Sequence, residues 1–451
     1  MKDKVKRREY MKMLIKNGTI ITLGKKNRVL KNSAILIEDG RIREIASVNQ
    51  FRGKYDRIID ATNKVVMPGL INNHMHFYST MVRGLSKAKP SKDFNEVLKN
   101  LWWRLDKKLN LKDIYYSSLM MMINAIRHGT TTLIDHHASP NSIRGSLFEI
   151  AKAAEVAGLR VSCCYEVSDR DGRTIRDEGI RENEDFIKWT GKRNSEFIKA
   201  MFGLHASFTL EDETLRIASE KGNGLGAGFH IHCAEALSDE EHSLKNYKMR
   251  VVNRLDKFGI LNDKSILAHC VHIDRGEMNL ISRRKSFVVH NPQSNLNNAV
   301  GIADILSMSK KGIKVLLGTD AMTVNMFEEL RVALFGQHLR QNNPGCCFTE
   351  VANTLLFNNP EFVSKHFGIK LGEISEGAAA DIILIDYYPP TPLDDNTALG
   401  HIIYGISEEI VDTTIVGGKI LMQNKRLTID VDEEDLSKRS IELSRKLWQR
   451  F

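Results

Sequence analysis

The sequence predicts an α/β protein, a (β/α)8 TIM barrel with a small β-sandwich domain built from both chain ends. Residues 68–370 alternate eight short apolar strands with helical segments, which is the pattern of successive βα units. Residues 1–67 and 371–451 instead carry short alternating strands with Asn-Gly and Asp-Gly turns, which favour antiparallel hairpins, and the last stretch ends in a helix. The chain of 451 residues is also too long for one ordinary core.

The predicted barrel strands end in polar segments, and in a parallel barrel these carboxyl ends carry the working residues. Helical segments separate them, and one ends at Gly158, a typical helix stop. Residues 92–110 predict a helical insertion with Trp102 and Trp103, which either covers the site as a lid or packs on the barrel rim. The strand ends are GLINNHMH, TTTLIDHHA, RVSCCYEVSD, KAMFGLHAS, GAGFHIHCAE, SILAHCVHI, SFVVHNPQSN and IKVLLGTDA.

The composition argues against several classes of function. The net charge of +9 comes from scattered basic residues without interleaved aromatics, so we expect a solvated lysine-rich surface and no nucleic-acid partner. The apolar runs fall short of the ~20 residues of a membrane helix, so no membrane partner is expected. The basic N-terminus lacks the apolar core of a signal peptide, which predicts a cytoplasmic location and reduced cysteines. Those cysteines show no CxxC spacing, which disfavours a thiolate zinc site.

Histidines concentrate at the predicted strand ends, where ten of the 15 in the chain are found. Buried imidazoles need partners, and convergence on a metal ion supplies them. His74 and His76 are two residues apart on one strand, so both side chains point to the same face and can bind one cation. The ten residues are His74, His76, His136, His137, His205, His230, His232, His269, His272 and His290.

Two further strand ends complete a candidate metal site. The segment FHIHCAE contains His230 and His232, with Glu235 three residues further on, and LGTDA contributes Asp320 after an apolar run. The alternative interpretation of Asp320 is that it forms the N-cap of the next helix. Three histidines and one carboxylate suit a single divalent ion, zinc first, with iron or manganese as alternatives. The spacing leaves open whether His230 or His232 is the third histidine.

These motifs resemble those of the amidohydrolase superfamily, and within it the aminohydrolase/chlorohydrolase branch. The superfamily resemblance rests on PGLINNHMH, HIHCAE, LAHCVH, HNPQSN and LGTDA. A narrower resemblance, to the SsnA-type aminohydrolases associated with selenium metabolism, rests on YSTMVRGL, LKNLWWRLDKKL, IDHHASP, NMFEEL and PTPLDDNTALGHIIYG. Together they cover nearly all of the chain after about residue 12.

The resemblance implies a mononuclear metal centre with four ligands. It selects His232 as the third histidine, so the implied ligands are His74, His76, His232 and Asp320. Asp320 would also accept a proton from the attacking water. Glu235 matches the proton-shuttling carboxylate of the family, and His269 matches the histidine that contacts the metal-bound water.

The same resemblance bears on the substrate pocket. His205 matches a histidine that faces the substrate, and Asn295 in SNLNN offers an amide that reads a ring edge. His136 and His137 either line the pocket or support the strand ends through hydrogen bonds. The fourth strand end has no lysine, since Lys199 lies six residues before His205, so a carboxylated lysine bridging two metals is disfavoured. The paired cysteines in residues 342–350 depart from the family pattern.

The predicted function is metal-dependent hydrolysis of a C–N bond in a purine-like or related nitrogen heterocycle, with release of ammonia. A divalent cation lowers the pKa of bound water to about 7, which supplies the nucleophile. The alternatives are ring-opening amide hydrolysis, dechlorination, and a non-catalytic role in metal handling or in assembly of selenium or molybdenum enzymes. The expected partner is a small-molecule substrate, and the resemblance suggests a homodimer.

Overall fold

A computed structural model describes residues 12–451, which form two compact units. The sandwich unit comprises residues 12–69 and Ile369–Thr428, and the barrel unit comprises Leu70–Gly368 and Ile429–Phe451. The basic segment of residues 1–11, on which the signal-peptide prediction rests, lies outside the described residues. Within residues 12–451 we find no helix with the length and apolarity needed to cross a membrane.

The sandwich unit joins both ends of the chain in one seven-stranded sheet, because Ile382–Asp386 pairs antiparallel with Lys64–Pro68. A second sheet has four strands, and both sheets contribute to one buried apolar cluster that includes Ile35 and Leu384. The four-stranded sheet runs Arg41–Ser47, Ser33–Glu38, Met13–Lys16, Arg57–Asp60. The seven-stranded sheet runs Arg426–Leu427, Lys419–Gln423, Val411–Val416, Ile382–Asp386, Lys64–Pro68, Thr19–Ile21, Val29–Leu30. The helix Ala398–Tyr404 belongs to the same unit.

The barrel unit contains eight parallel strands that we label β1 to β8, and its fold confirms the predicted barrel. Strands β1 to β3 form one sheet and β4 to β8 another. Parallel bridges link Met75 to Asp320 and Val167 to Leu204, which joins the sheets at both edges and closes the ring. The strands are β1 Leu70–Met75, β2 Thr130–His137, β3 Arg160–Tyr165, β4 Phe202–Ala206, β5 Phe229–Cys233, β6 Ile266–His269, β7 Phe287–His290 and β8 Val315–Leu317, and the short strand Ile198–Ala200 pairs with β3.

Helices connect these strands, and local capping interactions explain where two of them begin or end. Leu111–Arg127 begins with a capping box between Asn110 and Asp113, and Ser146–Ala157 ends at Gly158 in the left-handed conformation. The other helices of the unit are Phe94–Val97, Trp103–Leu105, Arg173–Arg193, Asp212–Gly224, Leu237–Tyr247, Val251–Lys257, Arg275–Arg284, Pro292–Asn297, Ile305–Lys310, Met326–Gln341, Phe348–Asn353, Asn359–Phe367 and Glu433–Arg450, with π-helical turns at Leu98–Trp102 and Thr354–Asn358.

The C-terminal helix Glu433–Arg450 belongs to the barrel unit, whereas the sequence assigns it to the sandwich domain. Trp448 Nε1 donates a hydrogen bond to the Met81 carbonyl at 2.8 Å. Arg450 forms an ion pair with the buried Asp113 at 2.6 Å. These contacts join residues more than 300 positions apart, so proximity along the chain gives no sign of them.

A buried arginine fixes the loop that follows β4. Arg254 donates to the carbonyls of Ser207 and Leu210, both at 2.7 Å, and pairs with Asp212 at 2.8 Å. The side chain is fully buried. Without this guanidinium, two buried carbonyls would lose their donors, which is costly in a low-dielectric interior.

We expect Arg254→Met to lower the free energy of unfolding by about 3 kcal/mol, because the carbonyls of the β4 loop lose their partners. The free energy of unfolding of Arg254→Lys should fall between those of Arg254→Met and the native protein, because an ammonium keeps the charge but lacks the planar fork of the guanidinium. Denaturant unfolding measures both, with the exposed Arg216→Met as control. Equal stability of Arg254→Met and Arg216→Met would contradict this role.

Candidate metal centre and active site

Backbone hydrogen bonds join the ends of β1 and β8 at the candidate site. The backbone amides of Thr319 and Asp320 both donate to the His74 carbonyl, at 3.0 and 2.9 Å. Asp320 adopts a positive φ of 53°, a costly conformation for a non-glycine residue that is common at functional sites. The turn brings the Asp320 carboxylate to the two β1 histidines.

The four side chains predicted as metal ligands converge at the carboxyl rim of the barrel. Asp320 Oδ1 lies 2.8 Å from His76 Nε2 and 3.4 Å from His74 Nε2. The His232 and His76 Nε2 atoms are 3.3 Å apart. Ligand atoms of one group lie within 4.8 Å of one another, and the same holds for a second, overlapping group, so either group could hold a divalent cation. The groups are His74, His232, His269 and Asp320, and His74, His76, His136 and His232.

Hydrogen bonds fix which ring nitrogens of this cluster are donors. His76 Nδ1 lies 2.5 Å from the His136 carbonyl, and His232 Nδ1 lies 3.0 Å from the His205 carbonyl. A carbonyl only accepts, so both Nδ1 atoms carry protons and a neutral ring has its lone pair at Nε2. Two lone pairs and a carboxylate then face one another, which is repulsive unless a cation or a proton lies between them. These residues thus fit a bound metal ion.

The pKa shifts of the ion-free cluster agree with this arrangement. Burial alone lowers the pKa of His76, but hydrogen bonds to Asp320 and Glu166 outweigh it and raise that pKa well above its usual value. Burial likewise raises the pKa of Asp320, yet hydrogen bonds from His74 and His76 hold it well below its usual range. Both shifts reflect the attraction between a cationic imidazole and a carboxylate, so this cluster stabilises positive charge next to Asp320.

The structure separates the two histidines of β5. His232 faces the Asp320 cluster, whereas His230 Nε2 lies 2.8 Å from His74 Nδ1. The His230 ring stacks on His136 with centroids 4.2 Å apart. His230 and His136 are both fully buried next to the cluster.

Glu235 and His269 lie beside this cluster. The Glu235 carboxylate is 3.5 Å from His269 Nε2 and accepts a hydrogen bond from Asn298 Nδ2 at 3.2 Å. Burial, reinforced by the charge of Asp320, raises the pKa of Glu235 well above its usual value. A raised pKa favours the protonated form of this carboxyl group, which is the form that a general acid requires.

Asn295 contacts His269 and does not line the cavity. Its Nδ2 donates to His269 Nδ1 at 2.8 Å, and Asn291 Nδ2 lies 3.5 Å from the same atom. Because Nδ1 accepts, the His269 proton is on Nε2, the atom that faces Glu235. Burial lowers the pKa of His269 to about 3, so the ring is neutral. The amides that line the cavity are Asn297 and Asn298.

A cavity that opens to solvent lies next to the cluster, and His76, His232 and Asp320 line it. His205 lines it, and its Nδ1 lies 2.8 Å from Thr209 Oγ1. Trp102 and Trp103 of the helical insertion form part of its wall, so this insertion borders the site directly. His137 does not line the cavity and its Nε2 contacts Ser139 Oγ at 3.0 Å.

Glu166, which follows β3, is not among the site residues that the sequence predicts. This buried carboxylate lines the cavity and lies 3.2 Å from His76 Nδ1 and 3.8 Å from His205 Nε2. Burial raises its pKa, but the hydrogen bond and charge of His76 outweigh this and hold the pKa below its usual value. The strand-end rule that singled out Asp320 would also have found Glu166 in RVSCCYEVSD.

A barrel with a cation site, a buried acid and a neutral histidine at its carboxyl rim belongs to the class of metal-dependent hydrolases. Residues 65–421 match the model of the amidohydrolase family, and the chain belongs to that family. The predicted superfamily and a hydrolase acting on non-peptide C–N bonds are thereby confirmed.

Several named proteins are similar over nearly their whole length. A 5-methylthioadenosine/S-adenosylhomocysteine deaminase of Acetivibrio thermocellus is 34% identical, covering 97% of this chain and 100% of that protein. A 5'-deoxyadenosine deaminase of Methanosarcina acetivorans is 32% identical, covering 94% and 95%. Among solved structures, a zinc-bound adenosine deaminase from Xanthomonas campestris has a TM-score of 0.87 at 21% identity, covering 97% and 98%. The zinc complex of atrazine chlorohydrolase TrzN from Arthrobacter aurescens TC1 has a TM-score of 0.80 at 21% identity, covering 96% and 100%.

Replacing a predicted ligand should remove the metal. We expect the native protein to bind a divalent metal ion and His76→Ala to lose it, because the remaining donors no longer enclose the cation. His137→Ala, a buried strand-end histidine outside the cavity, is the matched control and should keep its metal. Elemental analysis of the purified proteins measures this, and equal zinc in both variants would argue against the assignment.

Proposed function

We propose that the protein is a metal-dependent deaminase that hydrolyses the amino group of an adenosine-type nucleoside and releases ammonia. The observation that carries the proposal is the convergence of His74, His76, His232 and Asp320 beside Glu235 and His269. Relatives more than 30% identical over most of this chain are named as deaminases of adenosine derivatives, which favours deamination over dechlorination and ring opening.

In the proposed reaction, a divalent cation held by His74, His76, His232 and Asp320 would supply an activated water molecule. Asp320 accepts the proton of that water as its oxygen adds to the ring carbon. Ser294 Oγ donates a hydrogen bond to Asp320 Oδ2, which holds this carboxylate in place. A fixed carboxylate needs no reorganisation during proton transfer, and positioned bases of this kind contribute roughly 10²–10⁴-fold.

Glu235 provides the acid of the proposed reaction. It protonates the ring nitrogen as the carbon becomes tetrahedral, and then supports proton transfer to the departing amino group. Asn298 orients the carboxyl group through Oε1. His269 donates from Nε2 to the developing negative charge, and Asn295 keeps the donor proton on that nitrogen.

The roles of the remaining residues follow from their contacts. We propose that His205 faces the substrate, while Glu166 orients His76 through its Nδ1 proton. Such carboxylate–histidine pairs commonly fix the orientation and basicity of a metal-bound imidazole. A link to selenium metabolism also belongs to this proposal, and it is supported by the sequence segments that resemble SsnA-type aminohydrolases.

A direct assay tests the proposed deamination. The zinc-loaded protein should release ammonia from adenosine, 5'-deoxyadenosine or 5'-methylthioadenosine and convert the adenine chromophore to that of hypoxanthine. The same screen should include pterins, pyrimidines and chlorinated triazines. Stoichiometric metal without ammonia from any adenosine derivative would refute the proposed function while leaving the family intact.

We expect Glu235→Gln to lower kcat/KM by about 10³-fold, because the amide cannot deliver a proton to the ring. Metal content should be unchanged, since Glu235 is not in the proposed ligand set. Glu241→Gln, at an exposed position of the following helix Leu237–Tyr247, is the control and should retain full activity. A Glu235→Gln protein with native kcat/KM would contradict the acid role and favour a non-catalytic function.

Asn295→Asp should change the tautomer of His269. A carboxylate next to Nδ1 accepts a proton from that atom, which leaves Nε2 as an acceptor instead of a donor. We expect kcat to fall by about 10²-fold with little change in KM. Nitrogen NMR of histidine-labelled protein reads the tautomer directly, and native shifts together with native kcat would refute this role.

A further inference from the structure

The second histidine of β5 contacts a candidate metal ligand through its ring. His230 precedes His232 by two residues, so both side chains point to the same face of the strand. His232 faces His76, whereas His230 Nε2 lies 2.8 Å from His74 Nδ1. His74 and His230 are fully buried, so bulk water does not compete for this contact. A hydrogen bond between two neutral rings requires one ring to donate and the other to accept.

The ligand role of His74 decides the direction of this hydrogen bond. His74 Nε2 lies 3.4 Å from Asp320 Oδ1, so this nitrogen faces the other candidate ligands. A cation binds the lone pair of an imidazole nitrogen, and a neutral ring has one such nitrogen and one N–H group. With its lone pair at Nε2, His74 carries the proton on Nδ1 and donates it to His230 Nε2. The proton of His230 is then on Nδ1.

The thiol of Cys164 lies next to that second proton. Cys164 Sγ is 3.7 Å from His230 Nδ1, a distance that a hydrogen bond to sulfur allows. The same Sγ is 3.8 Å from the backbone carbonyl of Asp135, which can only accept. Burial raises the pKa of the Cys164 thiol well above its usual value, so the sulfur keeps its own proton. The thiol therefore accepts from His230 and donates to the Asp135 carbonyl.

A neighbour on β2 fixes the plane of the His230 ring. The His136 ring stacks on it, with centroids 4.2 Å apart and an interplanar angle of 9°. Such a stack restrains rotation of the ring, because tilting either ring loses the contact between their faces. The two ring nitrogens of His230 therefore stay directed at Cys164 on β3 and His74 on β1.

The same side chains also suggest a second metal site, which the proton positions oppose. His136, Cys164 and His230 each offer a ligand atom, and these atoms lie within 4.8 Å of one another. A cation at His230 Nδ1 would need the lone pair there, which moves the ring proton to Nε2. His230 Nε2 would then donate to His74 Nδ1, and the remaining His74 proton would be on Nε2, next to Asp320. For neutral rings, a cation at His230 Nδ1 and one at His74 Nε2 are thus mutually exclusive.

We propose that His230 is a positioning residue that keeps His74 in the tautomer that binds the metal ion, and that Cys164 holds the proton of His230 in place. The chain of protons runs from His74 through His230 and Cys164 to the Asp135 carbonyl. This inference rests on the metal centre of the proposed function and needs no particular substrate. Hydrogen-bond partners of metal-bound histidines contribute roughly 10–100-fold to metal affinity.

Zinc titration against a chelating competitor tests the role of His230. His230→Phe keeps a ring for the stack on His136 but removes the acceptor, so we expect the zinc dissociation constant to rise by about 10–100-fold. His230→Gln offers an amide oxygen in place of Nε2 and should stay within about threefold of the native constant. His137→Phe, at a buried strand-end histidine outside the cavity, is the control and should bind zinc like the native protein.

The outcomes separate this inference from the proposed function. Native zinc affinity in His230→Phe would overturn the positioning role, and so would an equal loss of affinity in His230→Gln and His230→Phe. A native protein that binds no zinc would refute the metal centre and both proposals with it. The expected zinc affinities without ammonia release from any adenosine compound would refute the deaminase and leave this inference intact.

Nitrogen NMR of the histidine-labelled, zinc-loaded native protein reads the proton positions without a substitution. We expect His230 to carry its proton on Nδ1, and its signals are identified by their absence from the spectrum of His230→Gln. A proton on His230 Nε2 would overturn the chain.

A pair of cysteine variants tests the other end of the chain. Cys164→Ser keeps an acceptor for His230 and a donor for the Asp135 carbonyl, so it should bind zinc within about threefold of the native constant. Cys164→Ala leaves the Nδ1 proton of His230 without an acceptor and should bind zinc more weakly than Cys164→Ser. Equal zinc affinity of the two variants would overturn the assignment of Cys164.

X-ray absorption at the zinc edge distinguishes the chain from a second metal site. We expect one zinc ion per chain with nitrogen and oxygen ligands alone, because Cys164 is a hydrogen-bond partner and not a ligand. A sulfur ligand at about 2.3 Å, or two zinc ions per chain, would overturn the inference in favour of a site at His136, Cys164 and His230.

Discussion

The structure of the barrel rim depends on one electrostatic constraint, the meeting of unprotonated imidazole nitrogens with the Asp320 carboxylate. Backbone carbonyls hold the Nδ1 protons of His76 and His232, so their Nε2 lone pairs cannot turn away. Only a positive group resolves the repulsion. His230 Nε2 lies 2.8 Å from His74 Nδ1 and the His136 carbonyl accepts from His76 Nδ1, while the rings of His136 and His230 stack on each other.

Strain and unsatisfied polar groups concentrate around this constraint. His269 has a φ of 74° and Asp320 a φ of 53°, both costly for residues with side chains. The buried Nε2 atoms of His74 and His269 have no hydrogen-bond partner among the described residues. The barrel maintains such an arrangement because the bridges that close it, including Met75–Asp320, hold the strand ends rigidly.

The floor and the wall of the cavity differ in the residues that form them. Its floor holds the cluster and the buried acid Glu235, whereas the helical insertion with Trp102 contributes apolar wall. A bound ring would therefore meet preorganised polar groups at one end and desolvation at the other. Preorganisation favours the charged transition state, and the shape of an apolar wall discriminates among bound molecules. Relatives of one family can thus keep the floor and change their substrate through the inserted segment.

The sequence by itself determined the barrel, the split sandwich pattern and the residues at the strand ends, because side-chain alternation and strand polarity are local properties. From the residue pattern alone, either His230 or His232 could be the third ligand. Only their contacts in the folded barrel distinguish them, because His232 faces His76 whereas His230 contacts His74 Nδ1. Tertiary structure alone paired Asn295 with His269, brought Glu166 to His76 and attached the C-terminal helix to the barrel unit. Each of these depends on distances between segments far apart in the chain, which packing fixes and local sequence does not encode.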